Sequence, residues 1–215
     1  MELHIRHQEI GSIANAFEIR DLAQVTAKWF FLGPLTRAEM SPEFLKAVSK
    51  RCERVFLDVQ GFVRKVECRE VRLFDWPDKR QGLSCVDVLK ANSEEALILS
   101  GEANLERAAR KIADLGPREV IITLGREGSL ILAEGRFHRI PAFPPKTLVD
   151  PTGAGDTYSA GYVFQRLRSD DIEASGRFAA ALASRKLENY GPFAGDANDV
   201  LALLRQAAAE NEILR

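Results

Sequence analysis

Short apolar runs that stop at turn residues alternate with capped, helix-forming stretches over most of this chain, and that alternation leaves few folds open. Trp29-Phe30-Phe31-Leu32 ends at Gly33-Pro34, as a buried strand does. Ser41-Pro42-Glu43 supplies an N-cap, a proline at the first helical position and an early acid, predicting a helix to about Arg51. Val55–Val59 and Val86–Lys90 read as further strands. Ser93-Glu94-Glu95 after Asn92 opens a short helix that Gly101 ends, and Asn104 caps another to Leu115. Val120-Ile121-Ile122-Thr123-Leu124 is a β-branched run bounded by turn residues. Ser129–Ala133 and Phe137–Ile140 predict a hairpin. Beyond Thr152 the residues are helix-forming almost to the end, with a break at Gly191-Pro192. The pattern predicts an α/β fold, a largely parallel sheet covered by helices. Ligands of such sheets bind outside the carboxyl ends of the strands. Residues 1–26 (Leu3, Ile5, Ile10, Ile13) alternate in places and predict strands or a hairpin.

Composition narrows the function. Thirty Lys+Arg against 31 Asp+Glu give a net charge of -1, which offers no bulk attraction to nucleic acid or membrane. Lys46, Lys50, Arg51 and Arg54 fall at helical spacing and read as a solvated face. Cys52, Cys68 and Cys85 show no CxxC spacing, and His4, His7 and His138 do not complete a zinc set. Reduced thiols are expected. No apolar run reaches membrane-spanning length, and MELHIRHQEI lacks the apolar core of a signal peptide. The expectation is a cytoplasmic protein.

The densest chemistry lies in Asp150-Pro151-Thr152-Gly153-Ala154-Gly155-Asp156-Thr157, followed by Tyr158-Ser159-Ala160-Gly161. Two glycines around a small residue permit close backbone approach to a ligand. The helix that follows turns its free N–H groups to the same point and makes an anion site. Asp156 at that helix start is stabilised by the dipole and faces the anion. An anion cradle beside a carboxylate base is what phosphoryl transfer to a hydroxyl needs. The plainer alternative is a Gly-rich turn with Asp156 as a helix cap.

This string resembles the signature of ribokinase-like (PfkB) carbohydrate kinases, close to DTTGAGDxFxxG, with Pro151 and Tyr158 as departures. The resemblance makes Asp156 the catalytic base and Gly153, Ala154 and Gly155 the anion hole. It also implies a monovalent cation, K+, beneath the loop, held by Asp150 and Thr152 with backbone oxygens near Asn189 and Gly191. Thr123-Leu124-Gly125-Arg126-Glu127-Gly128 resembles the family's nucleotide loop, placing Thr123, Gly125 and Gly128 at ATP. Alone, T-x-G-x-x-G also fits a plain hairpin turn. It is not a Walker A, because no Gly-Lys-Ser/Thr follows. Asn92-Ser93-Glu94-Glu95 resembles the family's N-x-x-E, with Asn92 near phosphate and Glu95 holding water-bound Mg²⁺; a helix cap with two acids is the alternative. Arg177–Ala181 and the helix to Asn189 resemble the adenine side, with Ala180 near the base; an alanine-rich face is equally what close helix packing needs. Asp58-Val59-Gln60-Gly61 resembles a segment near substrate.

The resemblance runs from about Gly33 to the C-terminus, in a domain spanning 27–215. The Gly-Gly-x-x-x-Asn segment and lid strands with which full-length members open are not visible, so the fold is expected to be N-terminally incomplete, with residues 1–26 as a lid remnant. The implied activity is ATP- and Mg²⁺-dependent phosphorylation of a hydroxymethyl group on a sugar or nucleoside. A catalytically weak or inactive nucleotide-binding module and a vitamin (pyridoxal-type) kinase are the alternatives. An exposed sheet edge left by a missing front predicts self-association into a homo-oligomer.

Overall fold

The structure is a computed structural model that describes residues 11–67 and 70–213. The expectations placed on Leu3, Ile5, Ile10, His4, His7 and Cys68 lie outside the described residues. The chain divides into two compact units, residues 1–118 and 119–215.

In the first unit, β1 (Trp29–Leu32), β2 (Arg54–Asp58) and β5 (Val88–Asn92) pair in parallel, in the order β1-β2-β5. Val55, Phe56, Leu57, Val88 and Leu89 are fully buried. Unbroken apolar runs of this kind mark strands covered on both faces. Helix α1 (Pro42–Ser49) starts as the sequence predicts, with Ser41 Oγ accepting from the Phe44 amide at 3.2 Å. It buries Phe44, Leu45 and Val48. Between β2 and β5 lie an antiparallel ribbon, β3 (Arg64–Glu67) with β4 (Glu70–Leu73), and the short helix α2 (Lys79–Leu83). The sequence reading missed this ribbon, because its alternation is carried by charged residues. Trp76, after the ribbon, stacks on Phe62 with ring centroids 4.0 Å apart. Helices α3 (Ser93–Ser100) and α4 (Leu105–Ala113) complete the unit.

The expected strands or hairpin before residue 26 are corrected where the structure describes them. Residues 11–26 hold only a 3₁₀ turn, Ile19–Leu22. Phe17 stacks on Phe44 of α1, and Arg51 donates to the Leu22 carbonyl at 2.7 Å. Leu22 is buried and Phe17 lies against α1, while Ile13, Ile19 and Val25 are exposed, so their spacing carries no strand register.

In the second unit, β6 (Glu119–Thr123), β7 (Ser129–Ala133) and β8 (Arg136–Ile140) form an antiparallel meander. Glu134 and Gly135 both have positive φ and make the two-residue turn of the predicted hairpin. Helices α5 (Ala154–Arg166), α6 (Ile172–Leu187) and α7 (Ala197–Ile213) follow. α6 lies on the meander, where Gly176 sits against Ile131 and Ile140. α5 and α6 pack so closely at Gly161 that a Cβ there would meet Leu182 at 2.9 Å and Ala179 at 3.0 Å. The alanine-rich stretch of α6 is needed for this approach. The fold is thus α/β, with parallel strands in the first unit and antiparallel strands in the second.

Candidate functional site

Helix α5 opens on Gly153, which is its N-cap with φ +77°. That conformation favours glycine, and nothing lies within 4 Å of where a Cβ would stand. The Ala154 amide bonds to Pro151 O at 3.3 Å and the Thr157 amide to Gly153 O at 2.9 Å. The amides of Gly153, Gly155 and Asp156 have no acceptor among the described residues. These are orphan donors at the positive end of a 13-residue helix, the elements of an anion site. Asp156 lies in the same first turn, is exposed, and makes no hydrogen bond or ion pair with a described residue. Its side chain makes no capping bond, so the Gly-rich turn of the plainer reading is present without an Asp156 cap.

The segment that resembles the family's nucleotide loop is fastened to this helix. Leu124–Gly128 joins β6 to antiparallel β7, with Thr123 paired to Ser129, so the segment is a hairpin loop as well as a motif. Tyr158, one of the two departures from the family pattern, is buried and hydrogen-bonds Ser129 Oγ at 2.8 Å. Burial pushes the Tyr158 phenol far above its ordinary value. This bond ties the second turn of α5 to the residue after Gly128, bringing the two motifs together. Gly128 has φ +92° and packs on backbone, where a Cβ would fall 2.0 Å from Ile140 O. Gly125, by contrast, is exposed with open space above it. Of the two loop glycines, Gly128 shapes the hairpin and Gly125 lies open to solvent.

Beneath the cradle, Asp150 Oδ1 accepts from the Thr152 amide at 2.9 Å. The ammonium of Lys186, a residue only 2% exposed near the end of α6, donates to Asp150 O at 2.8 Å and to Oδ2 at 3.2 Å. The Thr152 amide and hydroxyl, then Lys186, push the Asp150 carboxyl down to about 2. Val149 and Asp150 also donate their amides to Leu187 O, at 2.8 and 3.3 Å. Asn189 and Gly191 are exposed in the turn that follows α6, and the Asn189 amide bonds to Lys186 O at 3.2 Å. Ala180 is buried within α6.

In the first unit, Asn92 and Glu95 form a reciprocal cap at the start of α3. Asn92 Oδ1 accepts from the Glu95 amide and Glu95 Oε2 from the Asn92 amide, both at 2.8 Å. Glu95 is 2% exposed; burial pushes its carboxyl above the ordinary 4.5, and neighbouring Asp58 adds to this. Asp58, at the end of β2, is tied to Lys90 Nζ at 2.6 Å and accepts from the Gln60 amide at 3.1 Å. The pair is almost fully buried. Among the described residues no cluster of three or more His, Cys, Asp or Glu is placed to hold a metal. The Glu95 carboxylate, when ionised, is a hard oxygen donor of the kind that Mg²⁺ takes while keeping much of its water.

A model of the pfkB family carbohydrate kinases matches residues 52–197. The chain belongs to this family. A cytidine kinase of Thermococcus kodakarensis is 32% identical over 187 residues, covering 86% of this chain and 62% of its own length. A pyrophosphate-dependent kinase in the ribokinase family, solved with a pyrophosphate analog and myo-inositol, superposes with a TM-score of 0.82 at 27% identity. That match covers 92% of this chain and 70% of the other. Ribokinase of Arabidopsis thaliana, solved with ribose and ATP, superposes with a TM-score of 0.70 at 28% identity, over 89% of this chain and 61% of the other. This member of the pfkB family thus spans less than two thirds of the cytidine kinase and of the plant ribokinase structure.

Sequence reasoning missed Lys186 and the partner of Asp58. A lysine inside the apolar run Val88-Leu89-Lys90-Ala91 was the available signal, since a buried ammonium requires a counter-charge. It also missed a buried network at the far end of α5. Arg166 Nη2 donates to Glu119 Oε1 and the Tyr162 hydroxyl to Glu119 Oε2, each at 2.7 Å. This network anchors to β6 the helix whose other end forms the cradle.

Proposed function

We propose that this chain catalyses transfer of a phosphoryl group from Mg·ATP to a hydroxymethyl group of a sugar or nucleoside. The observation that carries the reading is the open start of α5, with unpartnered amides at Gly153, Gly155 and Asp156 beside the unpaired Asp156 carboxylate. Asp156 takes the proton of the acceptor hydroxyl, and the amides around Ala154 balance charge on the transferring phosphoryl group. Thr123, Gly125, Gly128 and Gly155 hold the nucleotide, with Ala180 on its base side. Asn92 lies near phosphate, and Glu95 holds Mg²⁺ through its water shell; the ion, when bound, adds positive charge to the polyphosphate. Strand β1 ends the strand order, and Phe31 is 41% exposed, which supports self-association.

The higher TM-score to the pyrophosphate-dependent kinase solved with myo-inositol, 0.82 against 0.70 for the ribokinase solved with ATP, favours a second reading. In it the donor is pyrophosphate and the acceptor a cyclitol. Calorimetry with Mg·ATP analogues and with Mg·pyrophosphate, then coupled assays over sugars, nucleosides, pyridoxal and myo-inositol, separates the two. Turnover with ATP and a hydroxymethyl acceptor supports the first reading. Binding of neither donor sinks both, and binding without turnover leaves a nucleotide-binding module.

A further inference from the structure

Resemblance to the family implies a monovalent cation at Asp150 and Thr152, with backbone oxygens near Asn189 and Gly191, and the structure puts a side-chain ammonium against two oxygens of Asp150. Lys186 Nζ lies 2.8 Å from the Asp150 carbonyl and 3.2 Å from its carboxylate. The lysine is buried to 2% exposure, so its charge is committed to this position rather than to solvent. Its surroundings favour a cation: the last turn of α6 presents the negative end of the helix dipole, and Leu187 O points at the same stretch, accepting from Val149 and Asp150. An ammonium group and a potassium ion carry the same charge, are close in size, and both bind oxygen. An ion added here would meet like charge on oxygens already taken.

We propose that Lys186 is a tethered replacement for the monovalent cation, holding the Asp150–Asp156 loop in its anion-binding shape without K+. Lys186 is a positioning residue: it touches Asp150, and Asp150 in turn orients Thr152 and the Gly153 turn that exposes the free amides. The proposal rests on the reading of that turn as an anion cradle only for its consequence; the ion replacement itself is a property of the unliganded chain.

The experiment follows thermal unfolding of the full chain, and hydrogen exchange at residues 153–157, in matched chlorides of potassium, ammonium, sodium and choline. The wild-type chain is expected to respond alike to all four. Lys186→Met is expected to unfold several degrees lower and to exchange faster at the loop, with saturable recovery in K+ and NH₄+ but none in choline. Recovery by a small cation is the signature that a merely structural lysine lacks. Lys186→Gln, which keeps hydrogen-bond donors without charge, gives the same rescue if Lys186→Met does not fold. A saturable, K+-specific stabilisation of the wild-type chain overturns the proposal, as does a folded variant deaf to both cations. Calorimetry with pyrophosphate on the same samples keeps the two readings apart. Binding weakened roughly tenfold in Lys186→Met and restored by K+ joins loop order to anion binding. Wild-type binding that is absent, with the ion rescue intact, sinks the phosphoryl-transfer reading and leaves the assignment of Lys186 standing.

Discussion

Helices α3 and α5 both begin on a motif that the sequence marks as functional, and they begin in opposite ways. At the start of α3, Asn92 and Glu95 satisfy each other's amides at 2.8 Å, and Glu95 is buried. At the start of α5 the cap is a glycine with no side chain to offer, three amides lack acceptors among the described residues, and Asp156 is exposed. A closed helix start spends its polar groups on stability. An open one keeps them for a ligand, because a donor already bonded within the protein must break that bond before it binds anything else. The contrast is between a helix start closed on itself at α3 and one left open at α5, where the proposed chemistry would lie.

The most severe test of the contrast is Asp156→Asn. Loss of the general base is expected to lower kcat by about 10²–10⁴-fold, with donor affinity nearly unchanged. Because the carboxylate is exposed and unpaired, urea unfolding should move by no more than about 0.5 kcal/mol. A fall in kcat below about tenfold, or a large loss of stability, would show that Asp156 belongs to the architecture after all.

Gly153→Ala probes the cradle itself. The new Cβ meets nothing, so the cost is purely conformational, about 1–2 kcal/mol for an L-residue held at positive φ. If the helix start relaxes to avoid that strain, the amides turn away, and pyrophosphate binding should weaken roughly tenfold. Unchanged binding in calorimetry would mean that the positive φ of Gly153 has no part in the anion site.

On the closed side, Asn92→Ala is expected to cost about 1 kcal/mol of stability, the usual cost of removing an Asn cap. Denaturant unfolding measures it, and a neutral result would leave the capping box without energetic meaning. Glu95→Gln tests burial and is the smallest effect. Glu95 holds its proton more tightly folded than unfolded, since burial raises its folded value above the ordinary 4.5. Its contribution is therefore full below 4.5 and is lost as pH rises through the raised folded value. Glutamine keeps the acceptor oxygen and never ionises, so its stability relative to wild type should improve as pH rises from 4.5. A flat difference would mean that the carboxyl ionises unhindered. The same variant should need more Mg²⁺ for half-maximal turnover.

What the sequence determined by itself is whatever a few neighbouring residues decide. Ser41 and Asn104 each cap the helix the sequence assigns them, and Asn92 makes the cap that the sequence offers as its alternative, because a cap reaches only to the amide three residues on. The strands Val55–Val59 and Val120–Leu124 fall within about a residue of β2 and β6, since unbroken apolar runs have no other place than a buried strand. The glycine string before α5 placed the helix start at Gly153 for the same local reason. Tertiary structure decided what those motifs are free to do. Lys90 meets Asp58 across 32 positions, Lys186 meets Asp150 across 36, and Arg166 meets Glu119 across 47. Charge demands a partner once it is buried, but nothing in the spacing of a chain says which partner the fold will deliver. Both Asn92–Glu95 and Gly153–Asp156 set an acid at the third position of a helix. Only the packed chain closes the first, leaves the second open, and sets an ammonium beneath it.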